Sequence, residues 1–325
     1  MAKRLRAMAL TDIAAGRNPG RKRAYIDAVD DKGRWTGKIV PVPEALGDPL
    51  KWRKPQMVFV NSMSDLFHQD VPDRFIEDVF CRMAVCPQHT FQVLTKRADR
   101  LLPWYKTMDG GGLGLDGKAR DRGKILIAGR EWDWPLPNVW IGVSVEDQKQ
   151  AEERIPGLLR MPAVVRFLSC EPLLGPVDLT QLRCGAEFDG EGAPYYDALA
   201  GRSYWGGTGE FGCHGPAVSW VIVGAESGPG ARPCQVSWIR SLVGQCADTG
   251  TSCFVKQLGA HVIDHDATSG DTFPESQCWP AGTKTDGHRI LLRDRKGGEP
   301  AEWPPDLRVR RFPGEPAAAP ASLFA

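Results

Sequence analysis

The sequence has no long hydrophobic run, no cysteine framework and no charge imbalance, and each absence narrows what the chain can be. No apolar stretch approaches the roughly 18 residues a membrane-spanning helix needs. The basic start, Met1-Ala2-Lys3-Arg4-Leu5-Arg6, is followed by no secretory h-region or cleavage site, so the expected location is the cytoplasm. Nine cysteines is an odd count, scattered over 325 residues without a C-x-x-C pair. That fits reduced thiols rather than a disulfide scaffold, and Cys81 and Cys86 read as packing on an apolar helix face. Formal net charge is +1, so bulk charge argues neither for nor against nucleic acid. The dinucleotide fingerprint is also missing, because Gly224, Gly228 and Gly230 have the wrong spacing.

What the sequence does have is one pattern repeated six times. A short apolar run ends in polar residues, and a helical spacing follows. Residues 57–60 run into Asn61-Ser62-Met63-Ser64-Asp65, residues 90–94 into Thr95-Lys96-Arg97, and residues 139–143 into Ser144, Glu146 and Asp147. Residues 164–168 end in Ser169-Cys170-Glu171, residues 220–223 in Gly224-Ala225-Glu226-Ser227, and residues 253–255 in Lys256-Gln257. Helical spacing is expected at 1–15, 72–85, 98–108, 148–161 and after Ser237, read as a helix N-cap. Strand, polar end and helix in alternation predict an α/β fold: a parallel (β/α) barrel, complete or partial. Residues 1–259 would form it, with a long inserted loop at about 180–218. Residues 260–312 read as an irregular extension packed on the barrel, with a hairpin of 289–292 and 307–309, and 313–325 as a disordered Pro/Ala-rich tail. Residues 109–124 read as a glycine-rich surface loop.

In such a fold the strand ends share one face, where ionisable groups perturb one another. Glu171 and Glu226 each follow an apolar strand and precede a Gly- or Pro-rich turn. Each can bind an amine or ribose hydroxyls or act as a base, or can instead satisfy loop amides. The glycines of 227–232, with Arg232, suit a phosphate or carboxylate, or a tight turn alone. Lys96 and Lys256 can form a Schiff base but more commonly pair with a carboxylate. Cys170 is a nucleophile candidate, with His68 or His89 as a partner only through the fold. Cys184, Cys213 and His214 have poor metal-ligand spacing, and no metal site is assigned. Trp132, Trp134, Trp140 and Trp205 line a cleft or fill core.

The segments Val58-Phe59-Val60-Asn61-Ser62-Met63-Ser64-Asp65-Leu66-Phe67-His68, Phe91-Gln92-Val93-Leu94-Thr95-Lys96-Arg97, Trp140-Ile141-Gly142-Val143-Ser144-Val145-Glu146, Arg166-Phe167-Leu168-Ser169-Cys170-Glu171-Pro172-Leu173-Leu174-Gly175 and Trp220-Val221-Ile222-Val223-Gly224-Ala225-Glu226-Ser227-Gly228 closely resemble the phage gene-product 37/68 family. The resemblance runs from residue 1 to about residue 312. It implies a radical S-adenosylmethionine (SAM) enzyme. In full-length members a cysteine cluster ending in Cys-Tyr-Ala precedes a helix like the one opening at Met1. That cluster would hold a [4Fe–4S] centre with one iron open for SAM. No residue of this chain matches those ligands, so the cluster segment is expected to be missing from it and the chain to be inactive without that segment. The resemblance further implies that the strand ends face SAM and a substrate. Glu171, Cys170, Lys96 and Asp65 are then catalytic candidates, and Glu226, Gly224, Ser227, Ser144, Glu146 and Ser64 cofactor contacts. Glu226 matches the segment that meets the methionine amine, with Ala225 where glycine is more usual. Phage occurrence suggests nucleic acid or a nucleotide as substrate, although the basic runs at 3–6, 17–23 and 308–311 read first as solvated surface. The alternatives are a non-catalytic nucleotide- or nucleic-acid-binding barrel and a lysine-dependent lyase.

Overall fold

A computed structural model describes residues 1–108, 124–127, 130–183, 195–204, 211–266 and 277–315. The chain opens with α1 (Ala2–Ala14), a short 3-10 turn, α2 (Ala24–Ala28) and two further 3-10 turns before β1 (Met57–Val60). The strand–helix alternation then runs through α3 (Asp73–Ala84), β2 (Thr90–Thr95), α4 (Ala98–Met108), the hairpin β3 (Lys124–Ile127) and β4 (Arg130–Asp133), β5 (Val139–Ser144), α5 (Gln148–Arg160) and β6 (Val165–Cys170). The insertion supplies β7 (Leu182–Arg183), β8 (Tyr195–Asp197), β9 (Arg202–Tyr204) and β10 (Phe211–His214). The last part holds β11 (Trp220–Gly224), β12 (Cys234–Gln235), α6 (Val236–Thr249), β13 (Ser252–Gln257), β14 (Val262–Ile263), β15 (Lys284–Asp286) and β16 (Arg289–Leu291).

The six predicted strands form one sheet in the order β1-β2-β5-β6-β11-β13. Strand order therefore follows chain order. Right-handed crossovers that always step the same way keep their helices on one side of a sheet, the topology of a half-barrel. The described sheet is open, with β1 and β13 at its two edges, so the fold is α/β with a six-stranded half-barrel sheet rather than a closed eight-stranded barrel. Registers are parallel, with Ser144 opposite Ser169 and Val223 opposite both Cys170 and Val255. No helix among the described residues is long and apolar enough to cross a membrane.

The chain divides into two compact units, residues 1–92 with 104–139, and residues 93–103 with 140–325. In the first, α3 turns Ile76, Val79, Phe80 and Met83 inward, as their spacing predicts. Phe80 stacks near Trp104 and Trp134, with ring centroids 4.6 and 5.8 Å away, so Trp134 is core rather than cleft. Buried Asn138 donates from Nδ2 to the carbonyls of Met83, Cys86 and His89 at 2.9–3.1 Å. It thereby braces the turn that follows α3, where the Met83 and Cys86 carbonyls also accept from the Cys86 and His89 N–H groups. Of the apolar positions expected to bury α1, Ala9 alone is buried, and the helix begins without a side-chain cap.

In the second unit the expected insertion loop contains structure instead: β10-β9-β8-β7 form a four-stranded antiparallel sheet. Its strands are two to four residues long, too short for a clear alternation signal. Helix α6 starts one residue before Ser237, with Gln235 as N-cap, and ends on Gly250 in the left-handed conformation, φ 73°. Residues 289–292 do form a hairpin strand, but its partner is β15 and not 307–309. Leu307 is buried in a 3-10 turn, and the next residues run beside β13, where Arg310 bridges Phe254. Residues 109–123, 128–129, 184–194, 205–210, 267–276 and 316–325 lie outside the described residues. The expected 109–124 loop, Cys184, Trp205 and most of the 313–325 tail fall there, as do the side chains of Cys213 and His214.

Candidate functional site

The second unit holds three strand ends, after β5, β6 and β11, that each deliver a carboxylate met by at least one cation. After β5, Ser144 is buried and Glu146 is 7% exposed. Asp147 leaves the site to cap α5, accepting from the Gln150 N–H at 3.0 Å. Arg154, further along that helix, reaches back and donates to the Ser144 carbonyl at 2.9 Å and to Glu146 Oε2 at 2.8 Å. Lys96, just past β2, contacts the other carboxylate oxygen. Each oxygen of Glu146 thus faces its own cation. The Glu146 carbonyl accepts from the Leu174 N–H at 2.7 Å, which ties this turn to the one after β6.

The second pair depends on register. Glu171, Gly224 and Lys256 each follow the aligned positions Cys170, Val223 and Val255. Gly224 then pairs with Gln257, so Lys256 is an extra residue on its strand. Such a bulge re-aims the side chain it carries, and Lys256 Nζ donates to Glu171 Oε2 at 3.1 Å. Gly224 is needed here, because a Cβ would lie 3.0 Å from the Glu171 carboxylate carbon. Burial pushes the Glu171 carboxyl above the ordinary range, and the Lys256 ammonium opposes that shift. The Glu171 side chain keeps 16% of its surface exposed.

The third pair sits on the turn after β11. Glu226 accepts from the Arg232 backbone N–H at 2.8 Å and from Nε at 3.1 Å, with Nη2 closing the fork. The Arg232 guanidinium, then its backbone N–H, hold the Glu226 carboxyl down to about 2. Glu226 therefore ties its own loop together, the second of the two roles its sequence offers, and its half-buried carboxylate stays ionised. Ser227 is half-buried on the same turn. Gln257 Nε2 donates to the Ala225 carbonyl at 2.6 Å and braces it from β13.

Cys170 stands beneath this face with 0% exposure. Burial, then Cys253, Glu171 and Glu146, push its thiol far up. A buried thiol kept protonated is a packing residue, so the nucleophile reading loses its physical basis. Lys96 and Lys256 both face carboxylates, the commoner of their two expected roles. Ser64 and Asp65 belong to the first unit. Ser64 is exposed, and Asp65 Oδ1 accepts from the Phe67 N–H at 2.9 Å, an Asx turn. Arg154 is the site residue the sequence reading missed; a basic residue two turns into the helix after a strand-end glutamate was its signal. The basic runs at 17–23 and 308–311 are largely engaged internally. Arg17 and Lys22 meet Asp12, and Arg21 meets Asp48. Arg308 donates to the Trp303 carbonyl, and Arg311 to the carbonyls of Gly250 and Thr251.

A family model described as a protein of unknown function, DUF5131, matches residues 1–295. The chain belongs to the DUF5131 family. No curated protein and no solved structure matches it. In this DUF5131 chain other buried thiols are raised as Cys170 is: burial pushes the Cys234 thiol up to about 12, and a hydrogen bond with Cys253 and then burial raise Cys246. Among the described residues no group of three or more His, Cys, Asp or Glu side chains is placed to hold a metal ion.

Proposed function

We propose that this DUF5131 protein binds S-adenosylmethionine, or a ligand of the same zwitterionic adenosine class, at the strand ends of its second unit. The supporting observation is the series of carboxylate–cation pairs, Glu146 with Lys96 and Arg154, Glu171 with Lys256, and Glu226 with Arg232. An α-amino acid head carries an ammonium and a carboxylate close together, and a preformed pair can take it by exchange of partners. Glu171 is the residue assigned to the ammonium, because among the described residues its ion pair is with half-exposed Lys256 alone, whereas the more buried Glu146 is held by both Lys96 and Arg154. Ser144, Gly224 and Ser227 flank these groups as the resemblance to radical-SAM proteins implies. The cluster that such an enzyme carries would supply electrons for SAM cleavage, and no step is assigned to it with the described residues. Nucleic acid or a nucleotide is the substrate class suggested by the phage-type resemblance.

Calorimetric titration with SAM, S-adenosylhomocysteine, methionine and ATP tests the reading. SAM is expected to bind, and Glu171→Gln to weaken it about 10- to 100-fold, the loss of one charge-assisted hydrogen bond. ATP binding without SAM binding would replace the reading with the nucleotide-binding alternative, whose basis is Arg232 beside Gly228 and Gly230. No binding of either ligand would end both.

A further inference from the structure

The two edges of the six-stranded sheet are treated differently. At the β13 edge the chain covers its own backbone. Val255 N–H donates to the Val309 carbonyl and Arg311 N–H to the Cys253 carbonyl, both at 2.8 Å, and Phe312 packs 5.3 Å from Phe254. At the β1 edge, among the described residues, no strand lies beyond β1. An uncovered edge strand presents a row of N–H and C=O groups that will pair with another backbone. Here the exposure is also apolar: Met57 is 52% and Phe59 42% exposed.

The open side of β1 can be assigned residue by residue. The Gln56 carbonyl accepts from the Thr90 N–H at 2.9 Å, so it faces β2. Backbone groups alternate sides along a strand, so Met57 and Phe59 present their N–H and C=O to the outside. A groove of about 630 Å³ runs there, lined by Trp52, Arg53, Lys54, Met57, Val58 and Phe59. Consecutive strand residues point to opposite faces, and they line one groove when it follows the strand's edge. Its wall is held in place: Trp52 packs edge-on against His89 at 5.5 Å, and His89 is bonded to the Pro49 carbonyl and the Gln56 N–H. Two cations and no carboxylate line it.

We infer that this edge is a docking site for an extended polypeptide strand from a partner protein. The segment is apolar at alternate positions and acidic where it passes Arg53 and Lys54. A peptide backbone matches the edge because it supplies both donors and acceptors. Nucleic-acid phosphates supply acceptors alone, which suits Arg53 and Lys54 but leaves the Met57 and Phe59 carbonyls unmet.

Two labelled synthetic peptides test this, with one alternating Val–Thr core flanked by glutamates in one and by lysines in the other. Fluorescence anisotropy should show the glutamate peptide binding at least about tenfold more tightly. The double variant Arg53→Glu with Lys54→Glu should invert that preference. On binding, hydrogen exchange should slow at the Met57 and Phe59 amides and stay unchanged at Val58. Met57→Pro should abolish binding while keeping the β1–β2 ladder, since the lost N–H faces outward; if that variant fails to fold, the charge-reversal pair decides alone. Equal binding of the two peptides, no protection at Met57 and Phe59, tighter binding of oligothymidylate, or a self-association that buries these amides would each overturn the inference.

Discussion

Lys256→Met is the sharpest test of how the strand-end pairs are built. The substitution keeps the aliphatic stem and removes the ammonium that faces Glu171 at 3.1 Å. Glu171 is left with 16% of its side chain exposed and no opposing charge from that position. Removing one member of a fully buried ion pair costs about 3–5 kcal/mol. Lys256 is 55% exposed, so solvent screens much of the pair and the expected loss is about 1–2 kcal/mol at pH 7.5. The sign with pH follows from burial. Glu171 already titrates above the ordinary carboxylate range when folded, so the folded state favours its protonated form. That preference stabilises below the unfolded value and is lost as pH rises through the folded one. Removing Lys256 raises the folded value further. The variant's penalty should therefore be largest at pH 7.5 and shrink as pH falls toward the ordinary carboxylate range. Urea unfolding of wild type, Lys256→Met, Glu171→Gln and the double variant at several pH values measures it. Glu171→Gln should cost less than about 1 kcal/mol, because it removes the buried charge along with the pair. A Lys256→Met penalty that is independent of pH, or a Glu171→Gln penalty as large, would refute the reasoning.

Three further outcomes are expected. Carboxyl NMR should place the Glu226 midpoint at about 2, and Arg232→Ala should return it toward the ordinary range; a midpoint unmoved by that change would dissolve the pair. In native protein, thiol labelling with peptide mapping should modify exposed Cys278 first among the described cysteines and Cys170 only on unfolding, and rapid native labelling of Cys170 would contradict its burial. Asn138→Ala should lower stability by about 1–3 kcal/mol, the cost of removing a buried amide that braces three carbonyls, of which Met83 and Cys86 keep a backbone donor, read as a shift in the urea midpoint.

The strands and helices of the sheet were legible because their signals are local. Runs such as Val139–Ser144 are apolar, short and stopped by polar residues, and α3 and α4 carry a clean helical spacing. The strand order needed nothing beyond crossover handedness. The insertion sheet was illegible: its strands pair at two or three positions, and pairing partners decide them rather than composition. The C-terminal hairpin was misassigned for the same reason. Arg289–Leu291 and 307–309 have similar β character, and what separates them is that the latter segment leads into pairing with β13. Cys170 shows the limit for chemistry. A cysteine at a strand end reads as accessible until the register puts Val223 beside it and burial closes over the sulfur.

The pairs also explain why sequence names Lys96, Lys256 and Arg232 as candidates without showing which carboxylate each one meets, and passes over Arg154. Glu146, Glu171 and Glu226 follow their strands by one or two residues, so sequence places them. Their partners come from separate places: Lys96 from the end of β2, Arg154 from inside α5, Lys256 from a bulge and Arg232 from the far side of a turn. The bulge is the informative case. Without it, the parallel ladder would pair Lys256 with Gly224, as one more rung. The extra residue frees Lys256 to meet Glu171, and the absence of a Cβ at Gly224 gives the carboxylate its space. A glycine, a bulge and a carboxylate from three neighbouring strands therefore act on one contact. A larger residue at Gly224 would displace the flexible Glu171 carboxylate before it disturbed the backbone, so the expected first effect of Gly224→Ala is loss of the Lys256 contact and not loss of the β11–β13 ladder.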